Sequence, residues 1–220
     1  MPAYIDKTTQ KKFFLCTPAK TGGSSVRDCF LGNNIERAPL AVIGGSQEQP
    51  WTHVDANMAA IAWPGKMPSI CMARHPYTRI LSHYNYIVSH AFCGAIKYHD
   101  KTSPWATINS WVEYIYGEEG QYYKLPVKGN PMLHSSGANF GHLRPQVSLL
   151  YEDTKIYKME DGFEPLYSWV EEYVGRPLKG KDVWHNRNKK FFEVEDMTDR
   201  TKQLLFEAYS QDFKMFKYNP

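Results

Sequence analysis

Residues 12 to 17 read KFFLCT, a short apolar run closed by Pro18 and followed by the glycine pair Gly22 and Gly23 and a helix-compatible stretch from Ser25 to Leu31. That order predicts strand, tight loop, helix. A second apolar run, Leu40 to Ile43, ends in Gly44 and Gly45, and a helix is predicted from His53 to Trp63, where Pro64 and Gly65 stop it. Ser69 to Ala73 (SICMA) reads as a buried strand, and Pro76 stands where it can open the next helix, Tyr77 to His90. Strand-to-helix units in succession predict an α/β fold: a parallel sheet flanked by helices. Further along, Trp105 to Tyr116 has helical apolar spacing, and Gly117 to Gly141 is rich in Gly, Pro, Tyr and Ser, the composition of a long functional loop. Lys155 to Met159 reads as a strand, Phe163 to Val174 as a helix ended by Gly175 and Pro177, and Asp199 to Phe216 as a core-facing helix. No repeat or linker interrupts the chain, so residues 1–220 are expected to form one domain.

Composition narrows the function classes. The 220 residues are 42% hydrophobic and 22% charged, enough to bury one core, and the longest apolar stretches, such as Met58 to Trp63, are too short to cross a bilayer. The opening MPAYIDKTTQ has neither an apolar signal core nor an Arg-rich amphipathic pattern, and no Asn-x-Ser/Thr sequon occurs. A soluble, cytoplasmic protein with no membrane partner is expected. The net charge of +3 is too small for a nucleic-acid binder, so any anion site must be local. The four cysteines, Cys16, Cys29, Cys71 and Cys93, show no CxxC spacing and are expected to be reduced structural thiols.

Two segments carry candidate chemistry. Pro18 to Ser25 (PAKTGGSS) lies between a predicted strand and helix, where successive amide N–H groups and the helix dipole attract an anion and glycines let the backbone come close to it. Its lysine precedes the glycines, so it is not the GxxxxGK[ST] loop of nucleotide triphosphatases. That spacing does occur from Gly175 to Lys181, but Asp182 replaces the hydroxyl residue and no apolar helix follows. The second segment is Arg74 to Ser82 (RHPYTRILS), with Arg74 at a strand end and Ser82 about two helical turns further on. An arginine fork and a serine hydroxyl suit one phosphate.

Together these segments resemble the sulfotransferases that use 3′-phosphoadenosine 5′-phosphosulfate (PAPS), most closely the carbohydrate sulfotransferase branch. That family has a loop of the form PKTGGTS after its first strand, and a later strand ending in RHP[YF]xR with a serine eight positions after the first arginine. Here the loop is AKTGGSS, with Ala19 where proline is usual, and the second motif fits from Arg74 to Ser82. The segments HLRPQ (His142 to Gln146), IYKME (Ile156 to Glu160), WHNRNKK (Trp184 to Lys190) and AYSQDFKMFKY (Ala208 to Tyr218) also look like family landmarks. The resemblance implies a P-loop-kinase-like sheet. It implies that Lys20 acts on the 5′-phosphosulfate, with Thr21, Gly22, Gly23, Ser24 and Ser25 around the 5′-phosphate. Arg74 and Ser82 would hold the 3′-phosphate, and Arg187, Asn188, Lys189 and Lys190 would close over the nucleotide. A sulfuryl group carries less charge than a phosphoryl group, and SICMA is followed by Arg74 rather than an acidic residue, so no metal is expected.

The acceptor hydroxyl needs a general base. His53 opens a predicted helix between the two motifs, where the glycosaminoglycan 2-O-sulfotransferases keep a catalytic histidine. His142 is the alternative, and Asp55 or Glu48 would serve if the base is a carboxylate. His142, Tyr122 and Tyr123 are candidates for contact with a carbohydrate acceptor, since aromatic faces stack on sugars. Two rival functions stay open: an ATP-dependent small-molecule kinase, and a non-catalytic module that binds a nucleotide or a sulfated glycan.

Overall fold

The computed structural model describes residues 3–38, 65–90, 106–118, 140–151, 153–181 and 191–220. It divides into two compact units, Met1–Arg74 with Gln146–Asn186 and His75–Pro145 with Arg187–Pro220.

The first unit is built on a five-stranded mixed sheet in the order β3-β1-β2-β4-β5. The strands are β1 (Ala3–Asp6), β2 (Lys12–Cys16), β3 (Ile35–Arg37), β4 (Ser69–Ala73) and β5 (Lys155–Lys158). β2, β4 and β5 run parallel, with Cys16 opposite Cys71 and Ala73 opposite Lys158. The α/β class is as expected, but the sheet is not parallel throughout, because β1 pairs antiparallel with both β2 and β3. For β1 and β2 the cause is a tight hairpin: Asp6 donates its amide N–H to Lys11 and accepts from Gln10, while its carboxylate accepts from the Thr8 amide and the Thr9 hydroxyl. Five residues suffice to join antiparallel strands, whereas a parallel neighbour needs a crossover. Burial would raise the Asp6 carboxyl, but hydrogen bonds from Arg176, Thr8 and Thr9 outweigh it and hold it below the usual range.

Period-two alternation sends β2 side chains to opposite faces. Phe13 and Leu15 join Tyr4, Ile70 and Met72 under α1 (Gly23–Leu31) and a helix at Glu164–Val174, whereas Phe14 and Cys16 pack with Ala3, Ile5, Cys71 and Leu149. Cys16, Cys29 and Cys71 are buried, unbridged thiols, and Cys93 lies outside the described residues. The strand predicted through Met159 stops at Lys158 and turns into a short 3-10 segment, Met159–Asp161.

The second unit is helical: α2 (Pro76–His90), α3 (Ile108–Tyr116), then, numbering Glu164–Val174 as α4, α5 (Asp199–Ala208) and α6 (Ser210–Phe216). Pro76 opens α2 as expected, and the Tyr77 amide donates to His75 Nδ1 at its start. α3 begins at a capping box in which Thr107 and Ser110 exchange side-chain-to-amide bonds at 3.1 Å. The single helix expected from Asp199 to Phe216 is two, broken at Tyr209, whose φ of −117° and ψ of 23° leave helical geometry. Its hydroxyl donates to the Leu143 carbonyl at 2.7 Å and also bonds the Tyr116 hydroxyl, so the side chain is held by long-range partners. Among the described residues no helix is long and apolar enough to cross a membrane.

Candidate functional site

β2 ends at Cys16 and the chain turns through Pro18 to Gly22 into α1. The turn is shaped by three local features. The Thr21 hydroxyl, fully buried, donates to the Pro18 carbonyl at 2.7 Å. Lys20 takes a left-handed φ of +69°, uncommon for a side-chain-bearing residue. Gly22 is the N-cap of α1 at φ +80°, with no side-chain cap bond and no acidic residue in the first turn. The N-terminal end of α1 thus carries its positive dipole without an internal carboxylate to neutralise it.

Gly22 is also required by packing. A Cβ there would stand 2.5 Å from Cζ of Phe163, whereas at Gly175, in the same left-handed region with φ +83° and ψ 23°, nothing lies within 4 Å. Gly22→Ala should therefore destabilise the protein by about 1–3 kcal/mol, and Gly175→Ala by less, in denaturant titrations of both variants. Equal losses would make backbone strain the whole effect.

Arg74 follows the end of β4 and reaches the loop directly: its Nη1 donates to the Lys20 carbonyl at 3.0 Å. Because β2 and β4 are parallel, both segments emerge at the carboxyl ends of the strands, where α/β proteins place ligands. Two cationic side chains are thereby brought together. Burial and the Arg74 guanidinium push the Lys20 ammonium down from 10.5 to about 8. Lys158, opposite Ala73 in the register, closes β5 at the same carboxyl end, a position to which sequence reasoning assigned no role.

Of the other predicted residues, Gly23 and Ser24 are half-buried and Ser25 is buried in the first turns of α1. The Thr21 hydroxyl hydrogen is committed to Pro18. Ser82 is half-buried on α2 of the helical unit. His142, in the same unit, lies on the 3-10 turn Phe140–Leu143, with its ring edge-on to that of buried His83 at 5.2 Å. His53, Asp55, Glu48, Tyr122, Tyr123, Arg187, Asn188, Lys189 and Lys190 lie outside the described residues.

Two structural residues were missed. Arg79, buried on α2, donates to the carbonyls of His142 at 2.8 Å and Arg144 at 3.1 Å, its guanidinium 5.0 Å from the Tyr209 ring centroid. With the Tyr209 hydroxyl on Leu143, three successive carbonyls of the HLRPQ segment are held. The other is Gln146, whose signal was its place in that segment. Among the described residues no three His, Cys, Asp or Glu side chains converge. No family model, curated protein or solved structure matches the chain.

Proposed function

We propose that the chain is a cytoplasmic sulfotransferase on a P-loop-kinase-like sheet, moving the sulfuryl group of PAPS to a hydroxyl of a carbohydrate acceptor. The observation that carries the reading is the convergence of Lys20 and Arg74 beside the N-terminus of α1, in a loop bent by Lys20 and Gly22 at positive φ. A lysine whose pKa is lowered first by burial and then by the Arg74 guanidinium forms, with that arginine, a site that a multiply charged anion relieves. Ser82 and the basic run from Arg187 to Lys190 enter through the sequence motifs alone. In the reaction the acceptor oxygen forms a bond to sulfur as the bond from sulfur to the bridging oxygen breaks. The acceptor proton goes to His53 or His142, and adenosine 3′,5′-bisphosphate leaves. Lys20 would stabilise the charge that grows on the bridging oxygen.

Adenosine 3′,5′-bisphosphate should raise the Tm more than AMP or ATP does, in EDTA as well as in Mg²⁺. A larger shift from Mg·ATP would favour the kinase reading and sink this one. The affinity should also depend on pH with a definite sign. Lys20 is charged below about pH 8, and a bound anion raises its pKa, so binding takes up a proton above that value. Bisphosphate affinity should hold steady between about pH 7 and 8, where the ligand's phosphates are ionised, and fall above about pH 8 by no more than about tenfold in all, the same modest loss that removing the lysine would cause. Calorimetry at several pH values measures both the affinity and the proton uptake.

A further inference from the structure

Gln146 is fully buried, and its side-chain amide makes two bonds to a single residue. Its Oε1 accepts from the Arg74 amide at 3.0 Å and its Nε2 donates to the Arg74 carbonyl at 2.8 Å, across 72 residues of sequence. β4 ends one residue earlier, at Ala73. The Gln146 side chain thus presents to Arg74 what a neighbouring strand residue would present: one donor and one acceptor in a planar amide. With both backbone groups of Arg74 engaged, the base of its side chain is fixed, and from there the guanidinium reaches the Lys20 carbonyl.

We infer that Gln146 is a positioning residue for the anion site, holding the Arg74 backbone so that its guanidinium meets the Lys20 loop in a binding geometry. The inference rests on the reading of Lys20 and Arg74 as that site. Only a side chain with a donor and an acceptor at this reach can make both bonds. A methionine makes neither, and a glutamate makes both only when protonated, because an ionised carboxylate has no hydrogen to give the Arg74 carbonyl.

The test uses the full chain with Gln146→Met and Gln146→Glu. Adenosine 3′,5′-bisphosphate affinity is measured by calorimetry, and exchange of the Arg74 amide by hydrogen-exchange mass spectrometry. Gln146→Met should bind the bisphosphate about tenfold or more weakly, with faster Arg74 exchange, in protein that remains folded by its thermal transition. Gln146→Glu should match it near neutral pH, then recover to within about threefold of the parent at the same acidic pH as the carboxyl takes up its proton. A purely structural role would instead lower the thermal transition of Gln146→Met and speed amide exchange throughout the first unit rather than at Arg74 alone. If the parent binds the bisphosphate and Gln146→Met binds it equally well, the positioning role is overturned while the anion site stands. If the parent does not bind it, the anion-site reading itself has failed and the inference falls with it, whatever the Arg74 amide does.

Discussion

Lys20→Ala should lower PAPS-dependent turnover by about 10²–10³-fold while changing bisphosphate affinity far less, the expected signature of a group that acts on charge appearing only during transfer. The side chain is suited to that work. It is half-buried beside Arg74 and therefore unusually responsive to negative charge, yet with a pKa of about 8 it is still mainly protonated near neutral pH. The same features make it a burden to the folded protein. Its folded pKa of about 8 lies below the ordinary 10.5, so between those values the unfolded chain binds more protons and this group's contribution to stability rises with pH. Lys20→Ala should accordingly melt no lower than the parent at neutral pH and lose that alkaline rise. An equal loss of turnover and product affinity would make Lys20 a binding residue, and a marked fall in Tm would contradict the account of its burial.

Arg74→Ala should remove the preference for adenosine 3′,5′-bisphosphate over AMP, since losing a charge-assisted phosphate contact costs about 1.5–3 kcal/mol, a factor of about 10 to 150. The variant also loses the bond to the Lys20 carbonyl, so some weakening of AMP is expected as the loop relaxes. Selectivity is therefore the informative quantity. Arg74→Lys keeps a charge but not the planar fork, and should recover affinity only in part. If bisphosphate and AMP weaken by the same factor, Arg74 shapes the loop without reading the 3′-phosphate.

The parts legible in the sequence were those whose signal is local. The run KFFLC, the glycine pair and the following apolar spacing announce β2, the turn and α1, and SICMA followed by Pro76 announces β4 and α2. β1 and β3 were not legible. Four and three residues are too few to display a period of two, and both are strands only because Phe13 and Phe14 lie opposite Tyr4 and Ala3, and Ile35 opposite Asp6. The break at Tyr209 was hidden for a related reason, since apolar spacing continues through it and the partners of its hydroxyl, Tyr116 and Leu143, are remote in sequence. In the candidate site, motif spacing singled out Lys20, Gly22 and Arg74, while the bond that joins Arg74 to Lys20 is a product of the parallel pairing of β2 and β4. Gln146 stood in a quoted segment, yet its role depends on a pairing no window of sequence contains.

The central claim is transfer of a sulfuryl group from PAPS, and the most direct measurement incubates the full chain with PAPS radiolabelled in the sulfuryl group and a panel of hydroxylated carbohydrates, without added metal. The account predicts label on at least one carbohydrate, unlabelled adenosine 3′,5′-bisphosphate released in step with it, and loss of both in Lys20→Ala. Label that stays on the nucleotide across the panel, in protein that phosphorylates the same acceptors from Mg·ATP, would contradict it.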